Sequence, residues 1–239
     1  MKYSTSWTDK DVEKHWDSVA NIYISENNKV KDTHDQRFNE SIKWLNVKQN
    51  QLILNISSRD AEANDYILDK DSTVNVLNAE ISAGLIAEAK TIRPHYCYIK
   101  IKTYSELPFV NNKFDSVLSL ETLEHVSEPI EFLKELNRIT KNKGRLVLSC
   151  PPQTSEIPYR IYSFLFGGHG EGPHKFLSSA TVKKMLAHTG WNLIHHYGSV
   201  LVPVGPSKLK DLGEKIIRKY QNTFISELGI RQFFICNKK

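Results

Sequence analysis

From residue 50 onward, short apolar runs alternate with stretches of helical period along the chain. Strand-length runs fall at Gln51–Ile56, Thr73–Ala79, Cys97–Thr103, Phe114–Ser119, Gly144–Cys150, Trp191–Val200 and Ile230–Asn237. Between them the apolar spacing changes to three and four, which predicts helices over Ser82–Thr91, with Ser82 as N-cap, and over Ser179–His188, closed by Gly190. A further helix is predicted near Lys208–Tyr220. The best-marked helix follows Ser127: Glu128 and Pro129 suit a first turn, and Ile130, Leu133, Leu136 and Ile139 recur at core spacing. Ser127 is the expected cap, and the turn Lys141–Gly144 the expected stop. Strands alternating with helices predict βαβ units feeding a parallel sheet, hence an α/β domain.

The first 45 residues read differently. Trp16, Val19, Ala20 and Tyr23 share one helical face, which predicts a helical extension packed over the sheet or across its mouth. The expected organisation is therefore 1–45 as a helical extension and 46–239 as one α/β domain. A loop rich in Gly, His and aromatic residues at about 153–177 is longer than a connector requires and is the expected lid. Its apolar part, Ile157–Gly168, is too short to span a membrane and carries Arg160, so it reads as a lid or at most a lipid-facing flap.

Composition narrows the function classes. The 32 Lys and Arg against 27 Asp and Glu give a net charge of +5, with no basic cluster interleaved with aromatics, so no nucleic-acid partner is expected. No window has the length and apolarity of a transmembrane segment, and the N-terminal stretch lacks a signal-like apolar core. Cys97, Cys150 and Cys236 are far apart and lie in strand-like runs, which favours buried reduced thiols and a cytoplasmic setting. Glycine is scarce, at 11 of 239 residues, and the first is Gly84.

Ligands of open α/β sheets bind beyond the carboxyl ends of the strands, so the residues just after each strand carry the chemical information. No G-x-G-x-x-G follows the first strand, which disfavours a nicotinamide dehydrogenase. His125 follows Glu124 near the mouth. It reads either as a substrate contact or base, because histidine titrates near neutral pH, or as a residue that orders the turn. His174 lies in the lid near His169 and Glu171, yet no further ligands appear at metal-site spacing. His195 and His196 sit on opposite faces of one strand and read as structural. Tyr159, Tyr162, Phe164 and Phe166 read equally as a pocket wall or as packing.

One stretch is more specific. Leu107-Pro-Phe, the strand start Phe114-Asp, the turn Glu124-His-Val, and Gly144-Arg-Leu-Val-Leu-Ser-Cys-Pro occur in order. With His15-Trp16-Asp17 before them and His174-Lys-Phe-Leu-Ser and Gly190-Trp191 after, the chain resembles the class I S-adenosylmethionine-dependent methyltransferases. That resemblance implies a Rossmann-like seven-stranded mixed sheet, its last strand antiparallel, with helices on both faces. It implies S-adenosylmethionine as cofactor, lying across the ends of the first four strands, and a small-molecule, lipid or sugar acceptor.

The family's functional positions transfer one at a time. Glu80 matches the acid that holds the ribose hydroxyls, where a carboxylate accepts two hydrogen bonds, and Ile81 follows it. The glycine-rich loop Asp-x-Gly-x-Gly-x-Gly aligns with Asn55-Ile-Ser57-Ser58-Arg59-Asp-Ala61, so the acid and all three glycines are replaced. Thr103 stands where an acid usually faces the adenine, and Ser105, Leu120 and Glu121 are the remaining expected cofactor contacts. His125 and His174 are the candidate catalytic residues. An arginine near a sulfonium repels it, unless Asp60 neutralises the charge or the side chain points away. Two functions stay open: a methyltransferase with a relaxed loop, or a catalytically inactive relative that lost the cofactor and serves as a binding or scaffolding module.

Overall fold

The computed structural model describes residues 3, 5–28, 31–160, 172–203, 205–221 and 223–239. Seven strands form one sheet: β1 (Leu52–Ile56), β2 (Asn75–Glu80), β3 (Cys97–Lys100), β4 (Phe114–Leu120), β5 (Thr140–Cys150), β6 (Trp191–Ser199) and β7 (Arg231–Lys238). Their order is β3-β2-β1-β4-β5-β7-β6. β1 through β5 pair in parallel, and β7 runs antiparallel between β5 and β6. The order reverses at β1, between β2 and β4, which places a topological switch point at the carboxyl ends of β1 and β4.

Both faces are covered because the strands are apolar on both sides, as buried parallel strands must be. On one face Leu54, Ile56, Val117, Leu146 and Leu148 pack with helices α1 (Asp9–Asn28), α4 (Ala83–Ile92), α5 (Pro129–Ile139) and α6 (Ser179–His188). On the other, Ile53, Leu118, Val147, Phe233 and Ile235 pack with α2 (Lys31–Leu45) and α3 (Ala63–Lys70). The last helix, α7 (Ser207–Lys219), sits outside β6. The expected apolar face of the N-terminal region is real: Trp16, Val19, Ala20 and Tyr23 are all buried.

α1 crosses the mouth of the sheet and is tied to three of the loops that emerge there. Asp9 accepts hydrogen bonds from the Tyr104 amide (2.7 Å), beyond β3, and from the amide and hydroxyl of Ser127 (3.2 and 2.7 Å), beyond β4. Asp17 accepts from the Ser82 hydroxyl (2.6 Å) and the Gly84 amide (3.0 Å), at the start of α4. Satisfying five backbone or hydroxyl donors with two carboxylates fixes the helix as a roof, since each donor left unpaired in a buried setting costs about 1–3 kcal/mol.

Four local expectations are corrected. Ser127 does not cap α5; Glu128 stands at the N-cap without a side-chain bond, because Asp9 has taken the Ser127 hydroxyl. Lys141–Gly144 is not a turn outside the sheet. β5 begins at Thr140 and the segment forms an irregularity opposite Phe114–Ser116, with Lys143 left-handed (φ 63°). The third strand stops at Lys100, so Thr103 lies in a turn, where its hydroxyl accepts from the Glu106 amide (3.2 Å). Cys97 is exposed, because β3 is an edge strand, whereas Cys150 and Cys236 are buried as expected. The lid residues 161–171, with Tyr162, Phe164, Phe166, His169 and Glu171, lie outside the described residues.

Gly198 in β6 is a sensitive point in this packing. A Cβ there would stand 1.9 Å from the Ser226 carbonyl oxygen. Gly198→Ala must push backbone aside, so thermal unfolding of the variant is expected to show a loss of about 1–3 kcal/mol, whereas Gly205→Ala, which meets only a flexible Leu209 side chain at 3.6 Å, pays mainly for its positive φ.

Candidate functional site

The loop after β1 lacks glycine but keeps the backbone shape that glycine usually supplies. Ser57, Arg59 and Ala61 have φ of 53°, 53° and 61°, all left-handed. Each costs about 1–2 kcal/mol relative to an ordinary conformation. The strain is held by specific bonds: the Ser58 amide to the Ala79 carbonyl (3.2 Å), the Ala61 amide to the Ser58 carbonyl (2.7 Å), and the Arg59 amide to Glu80 Oε2 (2.9 Å). Strained residues that persist in a cluster mark a functional site more often than a random loop.

Glu80, at the end of β2, is fully buried. Its Oε1 accepts from the amides of Ile81 (2.7 Å) and Ser82 (3.1 Å), and Oε2 from Arg59. The Arg59 guanidinium folds back over the same carboxylate, with Nη1 3.9 Å from Oε1, and its other face stacks on Trp16 of α1, 3.6 Å from the ring centroid. Only 11% of the Arg59 side chain is exposed. Burial works most strongly against its charge, but Glu80, together with Tyr23, Tyr104 and Glu124, outweighs it and raises the pKa above the ordinary value. Asp60 does not neutralise Arg59. It pairs with Arg93 (3.3 Å), which also holds Asp65.

Around this pair stand Tyr104, whose hydroxyl meets Ser57 Oγ at 3.1 Å, and His125, whose ring lies edge-on to Trp16 with centroids 5.5 Å apart. Burial keeps the Tyr104 phenol protonated. His125 Nδ1 faces the Pro173 carbonyl (3.0 Å), and Trp7 Nε1 donates to the His125 carbonyl (2.7 Å). Burial first, and then the Arg59 charge, lower the His125 pKa to about 3. His174 is near, with ring centroids 6.5 Å apart, and packs against Phe176 and Tyr159.

The structure brings Ser57, Ser58, Glu80, Ile81, Tyr104 and His125 together at the switch point. Other expected contacts face elsewhere. The Asn55 side chain turns under the loop, donating to Asn78 (3.0 Å) and Asn64 (3.3 Å). Glu121, itself left-handed (φ 50°), accepts from Ser149 Oγ (2.6 Å) and pairs with Arg231 (3.0 Å). Leu120 is buried, and Thr103 and Ser105, the neighbours of Tyr104 in sequence, are half-buried. Sequence reasoning did not single out Trp16, Asp9 or Tyr104 as site residues. Trp16 was visible as one member of an apolar face and of the His15-Trp16-Asp17 motif, and nothing local tells that Arg59 is its partner.

Residues 59–148 match the family model described as a methyltransferase domain. A demethylmenaquinone methyltransferase of Beutenbergia cavernae is 32% identical over 97 residues, which cover 41% of this chain and 39% of that protein, so the chain matches about two fifths of this relative's length. Among solved structures, the [4+2]-cyclase SpnF aligns over 100% of this chain and 99% of its own, with a TM-score of 0.71 at 12% identity. An S-adenosylmethionine-dependent methyltransferase from Mesorhizobium loti aligns over 83% and 96%, with a TM-score of 0.64 at 12% identity. The seven-stranded class I methyltransferase fold is thereby established.

The depressed His125 pKa has a consequence for stability. Unfolded histidine titrates near 6.5 and the folded residue near 3, so the unfolded chain binds the extra proton between these values. Stability from this residue is therefore complete above pH 6.5 and is lost as pH falls toward 3, with a slope approaching about 1.4 kcal/mol per pH unit. Denaturant unfolding across pH 4 to 7 is expected to show a shallower acid-side slope for His125→Gln than for the parent chain; equal slopes would place the imidazole in solvent.

Proposed function

We propose that this chain, which carries a methyltransferase domain on the class I fold, transfers a methyl group from S-adenosylmethionine to a small-molecule acceptor, and that Arg59 must leave Glu80 before the cofactor can bind. The observation that carries this reading is the left-handed backbone of residues 57, 59 and 61 beside a buried Glu80. That strain persists in a loop without glycine, held in part by the Arg59 amide on Glu80. It is accounted for if the loop still has to pass close to a ligand.

The residues fit the cofactor only in part. The backbone cradle and Glu80 suit the ribose and methionine groups. The Arg59 guanidinium, where it stands, fills the space beside the carboxylate, and its Nη1 is buried with no hydrogen-bond partner among the described residues. A guanidinium about 4 Å from a sulfonium opposes it by about 1–4 kcal/mol. In this arrangement, then, the groove does not admit the cofactor.

What the chain's own residues do follows from their contacts. With Arg59 turned out, Glu80 is the acceptor for ribose hydroxyls and Ser58 Oγ, buried without a partner among the described residues, is a further polar contact. Trp16, Tyr104 and α1 exclude water from above. His125, held neutral with a pKa of about 3, is too weak a base to take a proton efficiently near pH 7, so its part is to order the mouth through Trp7 and Pro173. His174, beside the lid, is then the candidate base for a hydroxyl nucleophile. The acceptor is a small molecule of the lipid or sugar class; a relative whose named acceptor is demethylmenaquinone supports an apolar one.

The filled groove favours a second reading, a methyltransferase-fold protein that no longer uses the cofactor, and a cyclase among the structural neighbours supports the idea that this fold serves chemistry other than methyl transfer. One substitution separates the two. Arg59→Gly removes the charge and restores the residue that a φ of 53° prefers. Calorimetric titration with S-adenosylmethionine is expected to show weak binding to the parent chain and binding at least about fivefold tighter to Arg59→Gly, following from the lower end of the repulsion, with a smaller gain for S-adenosylhomocysteine, which lacks the sulfonium charge. Glu80→Ala in the Arg59→Gly background should abolish it. If neither the parent nor Arg59→Gly takes up either ligand at millimolar concentration, the methyltransferase reading fails and the cofactor-free one stands.

A further inference from the structure

Helix α7, with the short 3₁₀ helix Phe224–Leu228 that follows it, carries a surface that the proposed chemistry does not use. Gly213 and Ile217 face the body of the protein and are buried. The helix is further anchored by Glu214, which accepts from the Val200 amide (2.6 Å), and by Arg218, which pairs with Glu40 of α2 (2.8 Å). Turned away from that contact are Leu209 (47% exposed), Leu212 (52%), Ile216 (36%) and Tyr220 (39%). Their spacing of three and four makes one continuous stripe along the helix. Phe224 (71%) and Leu228 (43%) continue the exposed apolar surface beyond its end.

Charge borders this stripe on its solvent side. At 3.6 residues per turn, Lys208, Lys215 and Lys219 project just beyond Leu212 and Ile216, on the side away from the buried face. All three are exposed, and none makes an ion pair among the described residues. The acids of the helix lie further round: Glu214 is engaged inward, and Asp211 alone is exposed beyond the lysines.

We infer that α7 is an interfacial helix that docks this protein on an anionic lipid surface. An apolar stripe edged by lysines matches the boundary between acyl chains and acidic headgroups: the leucines, isoleucine and aromatics enter the apolar layer, and the ammonium groups reach the headgroups. A second copy of the chain fits less well. A symmetric pairing of the same stripe would bring the lysine borders together without an acidic row to meet them.

Flotation with vesicles of phosphatidylcholine alone and of phosphatidylcholine with phosphatidylglycerol tests this. The full chain is expected to float with the mixed vesicles at low salt and only weakly with the neutral ones. Replacing Lys208, Lys215 and Lys219 together with Gln should reduce partitioning about a hundredfold, at about 1 kcal/mol per basic residue. Leu212→Gln with Ile216→Gln should reduce it as well. Both variants change exposed side chains, so unchanged thermal unfolding will show that the fold is intact. Absence of vesicle binding overturns the inference, as does binding that survives both variants. A concentration-dependent dimer in ultracentrifugation that Leu212→Gln with Ile216→Gln dissolves, without vesicle binding, overturns it in favour of self-association.

Discussion

A buried carboxylate at the end of β2 organises this protein's mouth. Glu80 has no solvent contact, and an isolated ionised carboxylate in such a place would be costly. Three backbone amides and one guanidinium meet it. Those partners come from separate parts of the chain. The Ile81 and Ser82 amides set the start of α4, the Arg59 amide sets the left-handed turn after β1, and the Arg59 side chain reaches Trp16 of α1. The loop, the helix that follows β2 and the N-terminal roof are in this way tied to one charge.

The same arrangement decides how the site relates to its fold. In a groove built for a sulfonium-bearing cofactor, one expects a carboxylate near the ribose, aromatic walls and an uncrowded loop. Here the carboxylate and the aromatics are in place, and the cation between them belongs to the protein. Arg59 stacked on Trp16 and facing Glu80 is stabilised by cation–π and charge contacts in a dry environment. Its release is therefore coupled to movement at Trp16 and α1. Asp9 and Asp17, which pin α1 to the loops after β3, β4 and β2, oppose that movement. Whether the groove opens is thus a contest between the ligand's contacts and those of a roof helix.

Much of the sheet was legible from the pattern of apolar residues, because each strand must be apolar on both faces to be covered by helices. β1, β4 and β7 sit within one or two residues of their predicted runs. Local chemistry misled where a long-range partner intervened. Ser127 had every feature of a helix cap, and Asp9, 118 positions earlier, took its hydroxyl. Asp60 was adjacent to Arg59 in sequence, yet the left-handed turn sends the two side chains apart, to Arg93 and to Glu80. His125 read either as a neutral-pH base or as a residue that orders the turn, and burial together with the Arg59 charge lowers its pKa to about 3.

The sequence by itself determined the α/β class, the order of the motifs and the position of the chain's chemical anomaly, the three absent glycines between Ser57 and Ala61. These are properties of periodicity and residue identity, and both are local. Only the tertiary structure decided that the loop keeps its left-handed shape without glycine, that Arg59 points inward, and that α1 closes over it. Those outcomes depend on where residues 9, 16, 59, 80, 104 and 125 meet in space. No local spacing encodes that meeting, because it results from the sheet's order reversing at β1 and from one buried charge that needs partners.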